Sequence, residues 1–225
     1  IYRSTDGVNY AFIVQLAPNA SSYVAASLAP GTLYYWRVYA VTEGALSAAL
    51  AGSQATSAAG EITCNGAGGL WSSTATWSGG VLPTATDNVT VSDGCTVTID
   101  AAATINNLTV GQGTSGILQF EATTARTLTV NGSVTIASGG VFQSAATGTV
   151  TTHLLSVGTN LVNNGTLDFS TNVNTAGAEL RFVNAANNTM SGTGTTSDLR
   201  LLSLSKGSGT VTTSSPVLEI TIPFT

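Results

Sequence analysis

Short apolar segments alternating with polar residues at a period of two punctuate the chain from about residue 85 onward. Leu108-Thr109-Val110 returns as Leu128-Thr129-Val130 and, more weakly, as Leu202-Ser203-Leu204. Gly116-Ile117-Leu118-Gln119-Phe120, Gly140-Val141-Phe142 and Gly165-Thr166-Leu167-Asp168-Phe169 form a second series. Alternate side chains of such a segment point to one side, so each predicts a strand with an apolar inner row and a polar outer row. The segments recur at roughly twenty to twenty-five residues, separated by Gly, Asn and Ser, which is the punctuation of a coil that turns after each strand and stacks on the one before. Asn131-Gly132 and Asn164-Gly165 also fit two-residue hairpins. The shortness and even spacing of the strands favour turns between successive faces instead. Leu199-Arg200-Leu201-Leu202-Ser203-Leu204 and Val217-Leu218-Glu219-Ile220-Thr221-Ile222 read as later coils.

The first sixty residues follow a different pattern. In Leu28-Ala29-Pro30-Gly31-Thr32-Leu33-Tyr34-Tyr35-Trp36-Arg37-Val38-Tyr39-Ala40-Val41 a Pro-Gly turn feeds a strand whose Tyr34, Trp36, Val38 and Ala40 share one face. Ile1 to Gly7, Tyr10 to Val14, Ser22 to Leu28 and Leu46 to Ala51 read as its companions. This stretch resembles the corner and following strand of a fibronectin type III domain. The resemblance implies that Tyr34 is the corner tyrosine, with its ring inside the sandwich and its hydroxyl bonded to nearby backbone, and that Trp36 is core. It also implies that residues 1–55 lack two leading strands, so the chain is expected to be a window from a longer polypeptide.

Ala51 to Gly60 is a small-residue stretch without periodicity. A linker over 56–63 is expected there, followed by a second module over 64–225. That module opens with Gly69-Leu70-Trp71-Ser72-Ser73-Thr74-Ala75-Thr76-Trp77-Ser78-Gly79-Gly80-Val81-Leu82-Pro83 and Asp87-Asn88-Val89-Thr90-Val91. The opening is similar to the cap of parallel β-helix modules in large repetitive surface proteins, many exported by the type IX pathway and some acting as gliding-motility adhesins. The resemblance implies that Trp71 and Trp77 are cap core, and the lack of a closing element before Thr225 leads to the expectation that the module is truncated at its C-terminal end. The expected fold class is all-β: a partial fibronectin type III sandwich followed by a right-handed parallel β-helix.

Composition narrows the partners. Of 225 residues 43% are hydrophobic and only 8% charged, with 25 glycines, enough for a core beneath a neutral, hydroxyl-rich surface. A net charge of −5 lacks the clustered Lys and Arg that nucleic acid or an anionic membrane demands. No apolar run reaches the length needed to cross a bilayer as a helix. Cys64 and Cys95 are expected to pair, closing a loop worth about 3 to 4 kcal/mol in the chain-entropy model; two buried free thiols are the alternative. A disulfide places the chain in an oxidising compartment.

Candidate chemistry is sparse. The single histidine, His153 in Thr151-Thr152-His153-Leu154-Leu155, has no carboxylate or cysteine close in sequence and reads as a surface or half-buried structural residue. Asp87, Asp93, Asp100, Glu121, Asp168 and Glu179 are spread over several coils; two on one face would resemble glycosidase or lyase carboxylates, but solvated or turn-capping roles are expected. Asp87, Asp93 and Asp100 offer oxygen ligands for calcium without an Asp-x-Asp-x-Asp loop. Trp71 and Trp77 could stack on a sugar, although core packing is expected. No catalytic residue, metal or cofactor is expected.

Three functions fit. The first is a structural and adhesive segment of a long secreted cell-surface protein, a stiff spacer whose partners are other modules of the same chain, surface glycans or proteins and, through the family resemblance, an outer-membrane secretion translocon. The second is an accessory module of a secreted carbohydrate-active enzyme, binding or cleaving polysaccharide. The third is ice binding by outward threonines, for which the Thr-x-Thr spacing is too irregular.

Overall fold

The structure, a computed structural model, describes residues 1–25, 28, 32–42, 45–56, 60–171, 176–194, 196–213 and 219–220. Pro30 and Gly31 of the expected turn, positions 57–59 of the expected linker, and Val217, Leu218, Thr221 and Ile222 of the last expected coil lie outside the described residues. The chain divides into two units, Ile1–Ala59 and Gly60–Thr225.

In the first unit four strands form an antiparallel sheet in the order Ala11–Phe12, Tyr2–Ser4, Leu33–Val38, Leu50–Ala55, and Val41–Thr42 pairs with Ala45–Leu46 as a hairpin. Period-two alternation sorts the side chains. Arg3 lies opposite Trp36, and its guanidinium sits 5.2 Å from the Tyr34 ring centroid and 6.0 Å from that of Trp36. On the other face Tyr2 meets Phe12 and Tyr39 edge-on, and Arg37 stacks 3.9 Å over Tyr10. Tyr34 is buried, whereas Leu50–Ala55 is exposed along its whole length. Two expectations are corrected. Residues 22–25 of the expected Ser22–Leu28 strand form no strand, and the strand expected over Leu46–Ala51 begins only at Leu50, because Leu46 is held opposite Val41 in the hairpin.

The second unit is a parallel β-solenoid of about six turns whose coils have three faces. The first face stacks Glu61–Thr63, Asn88–Val91, Leu108–Val110, Val134–Ile136, Leu161–Asn163, Asn188–Ser191 and Val211–Thr213. The second stacks Gly68–Leu70, Thr96–Ile99, Ile117–Phe120, Val141–Ser144, Thr166–Asp168, Thr196–Leu199 and Glu219–Ile220. The third stacks Ala103–Ile105, Thr127–Val130, His153–Val157, Ala176–Phe182 and Leu201–Leu204, with Ser170–Thr171 folded back antiparallel on the start of Ala176–Phe182. Glu61–Thr63 pairs with Asn88–Val91, so the solenoid begins inside the span read as linker.

Three-residue strands suffice because each backbone bonds to the coils above and below, and stacking supplies the burial that a lone coil cannot. Val89, Leu108, Val134, Leu161 and Met190 form one inner column, fully or almost fully buried. Phe120, Phe142 and Phe169 cluster inside the second face with centroids 5.0 to 5.8 Å apart. Outward, Thr63, Thr90, Thr109 and Thr135 stand in register. Along the second face Gln143 Nε2 donates to Gln119 Oε1 (3.2 Å), and Gln119 Nε2 donates to Thr98 Oγ1 (3.0 Å). Each amide thus ties one coil to the next without a charge.

At the corner between the first and second faces the backbones of successive coils nearly touch. A Cβ at Gly140 would sit 2.3 Å from the Val110 carbonyl oxygen, one at Gly165 2.3 Å from that of Gly140, and one at Gly194 2.4 Å from that of Gly165. Only glycine fits this column.

The disulfide ties the first coil to the second. Cys64 and Cys95 are bonded with Cα atoms 6.5 Å apart and a sequence separation of 31. Trp77 and Trp71, with 0% and 3% of their surface exposed, meet edge-on at 4.8 Å, and Trp77 Nε1 donates to the Trp71 carbonyl (2.8 Å). The Cys64→Ser/Cys95→Ser variant is expected to lose about 3 to 4 kcal/mol of stability, the loop-closure contribution of this link. Urea unfolding monitored by tryptophan fluorescence measures it; an unchanged midpoint would refute the expectation.

Candidate functional site

Three of the six carboxylates singled out in sequence are turn anchors. Asp87 accepts from Thr84 N (2.7 Å), Thr84 Oγ1 (2.6 Å) and Gly60 N (3.2 Å). Asp93 accepts from Gln112 N (2.7 Å), Thr114 Oγ1 (2.7 Å) and Ser115 N (3.1 Å), and these bonds, that of Thr114 first, hold its carboxyl below the usual range. Asp100 accepts from Ser72 N (2.9 Å) and Ser72 Oγ (2.6 Å). Burial pushes the Asp100 carboxyl up, and the Ser72 bonds outweigh it to leave it lowered. The three possible calcium ligands therefore serve three different corners. Among the described residues no group of three or more His, Cys, Asp or Glu side chains converges.

Glu121 is paired with Arg126 Nε. Glu179 accepts from Arg181 Nε (2.8 Å) and Nη2 (3.0 Å) on the outer side of the third face and also from Ser203 Oγ. Burial raises the Glu179 carboxyl, but the bonds from Arg181 and Ser203 hold it below its ordinary value.

Asp168 is the exception. It stands on the second face in register with Gln143 on one side and Asp198 on the other, and Glu219 follows Asp198 in backbone register. Burial pushes the Asp168 carboxyl up, opposed only partly by the Ser170 amide, which donates at 3.3 Å. A carboxyl with a raised pKa beside a second carboxylate on a polar row is the described arrangement nearest to general acid–base chemistry. Asp198 and Glu219 were not singled out in sequence. Their signal is the match of Thr166-Leu167-Asp168 with Thr196-Ser197-Asp198, obscured by the hairpin inserted between them.

The tryptophans and the histidine are not surface groups. Trp71 and Trp77 are too deeply buried to offer a ring face to a sugar. His153, expected at or near the surface, is 1% exposed: its position in His153–Val157 has the inward parity of Leu155 and Val157. The imidazole stacks on Phe120 (4.7 Å, 17°), and the Arg126 amide donates to its Nδ1 at 3.1 Å.

The chain was compared with known protein families, with curated proteins and with solved structures. None of them matches it. The functional reading therefore rests on the solenoid and its surface. None of the described helices is long and apolar enough to cross a membrane.

Proposed function

We propose that the chain is a structural and adhesive segment of a long secreted cell-surface protein, acting as a stiff spacer without catalytic activity of its own. The observation that carries this reading is the parallel ladder of stacked coils, whose first face presents an outer row of Thr63, Thr90, Thr109 and Thr135 rather than charge. At ~4.8 Å per coil, about six coils give a rod of roughly 30 Å whose every step is tied by backbone hydrogen bonds. The disulfide supports export to an oxidising compartment. In this reading the first unit is the later part of a fibronectin type III domain, and its antiparallel sheet and buried Tyr34 are in keeping with that. The opening segment with its paired tryptophans supports kinship with caps of type IX-exported surface proteins. Adhesion arises from many weak copies on one surface, because linking sites raises the effective concentration without new contacts.

A second reading, an accessory polysaccharide-binding or polysaccharide-cleaving module of a carbohydrate-active enzyme, is favoured by one observation. Asp168 and Asp198 lie side by side in a polar row that continues through Gln143 and Gln119.

Beads coated densely with the chain are expected to adhere to glycan-bearing surfaces at least a hundredfold better than the monomer binds. The monomer is expected to release no reducing ends from polysaccharides. Cleavage by the monomer that Asp168→Asn abolishes would overturn the first reading in favour of the second.

A further inference from the structure

His153 is the molecule's single histidine and belongs to no outer row. It opens the strand His153–Val157, stacks on Phe120, and accepts the Arg126 amide at Nδ1. The same junction is closed from the other side, where Leu154 N donates to the Arg126 carbonyl at 2.9 Å. Arg126 and Glu121 end the segment that turns from the second face to the third, and their side chains form an ion pair over it. The histidine ring and the backbone of this corner thus hold each other.

We propose that His153 is an acid-operated latch: protonation of Nδ1 breaks its bond with the Arg126 amide and releases the corner Glu121–Arg126 from the solenoid core. The chemistry is one of hydrogen count. Neutral imidazole offers Nδ1 as an acceptor, whereas imidazolium carries a proton on both nitrogens and can only donate. Two donors then face each other across 3.1 Å, and the cation lies buried against the Phe120 ring.

Among the described residues Glu121 and Arg126 are the charged groups that act on the ring, and Asp100 acts in turn on Arg126. Burial is the largest influence and draws the imidazole below its usual 6.5, with Arg126 acting in the same direction and the carbonyl and carboxylate of Glu121 against it. A lowered folded value means that the unfolded or opened form binds the proton better. The closed corner is therefore fully stable above about pH 6.5 and weakens as pH falls through that value, by at most about tenfold per pH unit for one proton.

With one histidine, a heteronuclear NMR titration reports on His153 without ambiguity. Between pH 7.5 and pH 5, protection of the Arg126 and Leu154 amides against exchange, corrected for intrinsic rates, is expected to fall severalfold, and by no more than about thirtyfold for one proton. The Val89 and Leu108 amides, bonded in other coils, are expected to change less than twofold. His153→Asn places an oxygen acceptor near the site of Nδ1 and cannot titrate, so its protection should not vary with pH in this range. Acid-dependent opening retained in His153→Asn, loss of protection spread evenly over all coils, or an imidazole that becomes protonated while Arg126 stays protected would each overturn the latch. Should His153→Asn fail to fold, the wild-type pattern of protection alone decides between these outcomes.

Discussion

Replacing Gly165 by alanine is expected to destabilise the solenoid by about 3 kcal/mol, near the top of the range for inserting one methyl into a filled site. The new Cβ would lie 2.3 Å from the Gly140 carbonyl oxygen and 2.5 Å from that of Ala137. These obstacles are backbone, so no rotamer change relieves them, and separating the coils would break the bond from Thr166 N to the Gly140 carbonyl (2.9 Å). Valine at the same position should cost more. Gly207→Ala is the control, because a Cβ there meets nothing within 4 Å. Urea unfolding of the three variants by circular dichroism tests this, and a Gly165→Ala midpoint equal to that of Gly207→Ala would refute the glycine column as a packing constraint.

Trp77→Ala is expected to cost about 3 to 5 kcal/mol, the usual range for deleting a buried aromatic. Trp77 is fully buried, its backbone bridges Cys64, and its indole N–H satisfies the Trp71 carbonyl. Truncation leaves both a cavity and an acceptor without its donor. For a domain of this size the melting temperature should fall by roughly 10 °C or more. Stability in a stacked array is a sum of nearest-neighbour terms, so the damage should be graded along the axis. Amides of Glu61–Thr63 and Asn88–Val91 should lose exchange protection first, and those of His153–Val157 last. Uniform loss across the coils would argue against a local role at the first coil.

The stacking of Gly116–Phe120, Gly140–Phe142 and Gly165–Phe169 was legible because these segments share a leading glycine and an inward aromatic, and they do lie on one face. The Leu-Thr-Val repeat misled. Leu108–Val110 belongs to the first face and Leu128–Val130 to the third, and the strand stacked on Leu108 is the one containing Val134. A three-residue alternation says which side chains are inside but carries no label for the face. Coil length varies as well, from the short step Val89 to Leu108 to the long step Thr166 to Thr196. A fixed period therefore could not register Asp168 with Asp198. His153 escaped for another reason: polarity suggested the surface, while its parity with Leu155 and Val157 put it inside.

Three of the four basic residues of the solenoid are held in place as well. Arg126 and Arg181 are ion-paired, and Lys206 Nζ donates to the carbonyls of Asn184 (2.7 Å) and Ala186 (2.6 Å). A trypsin-like protease must draw several residues around its target into an extended strand, which here means peeling a coil from both neighbours. Digestion would thus be paced by the rarity of such excursions, giving the solenoid a working lifetime longer than its modest size suggests.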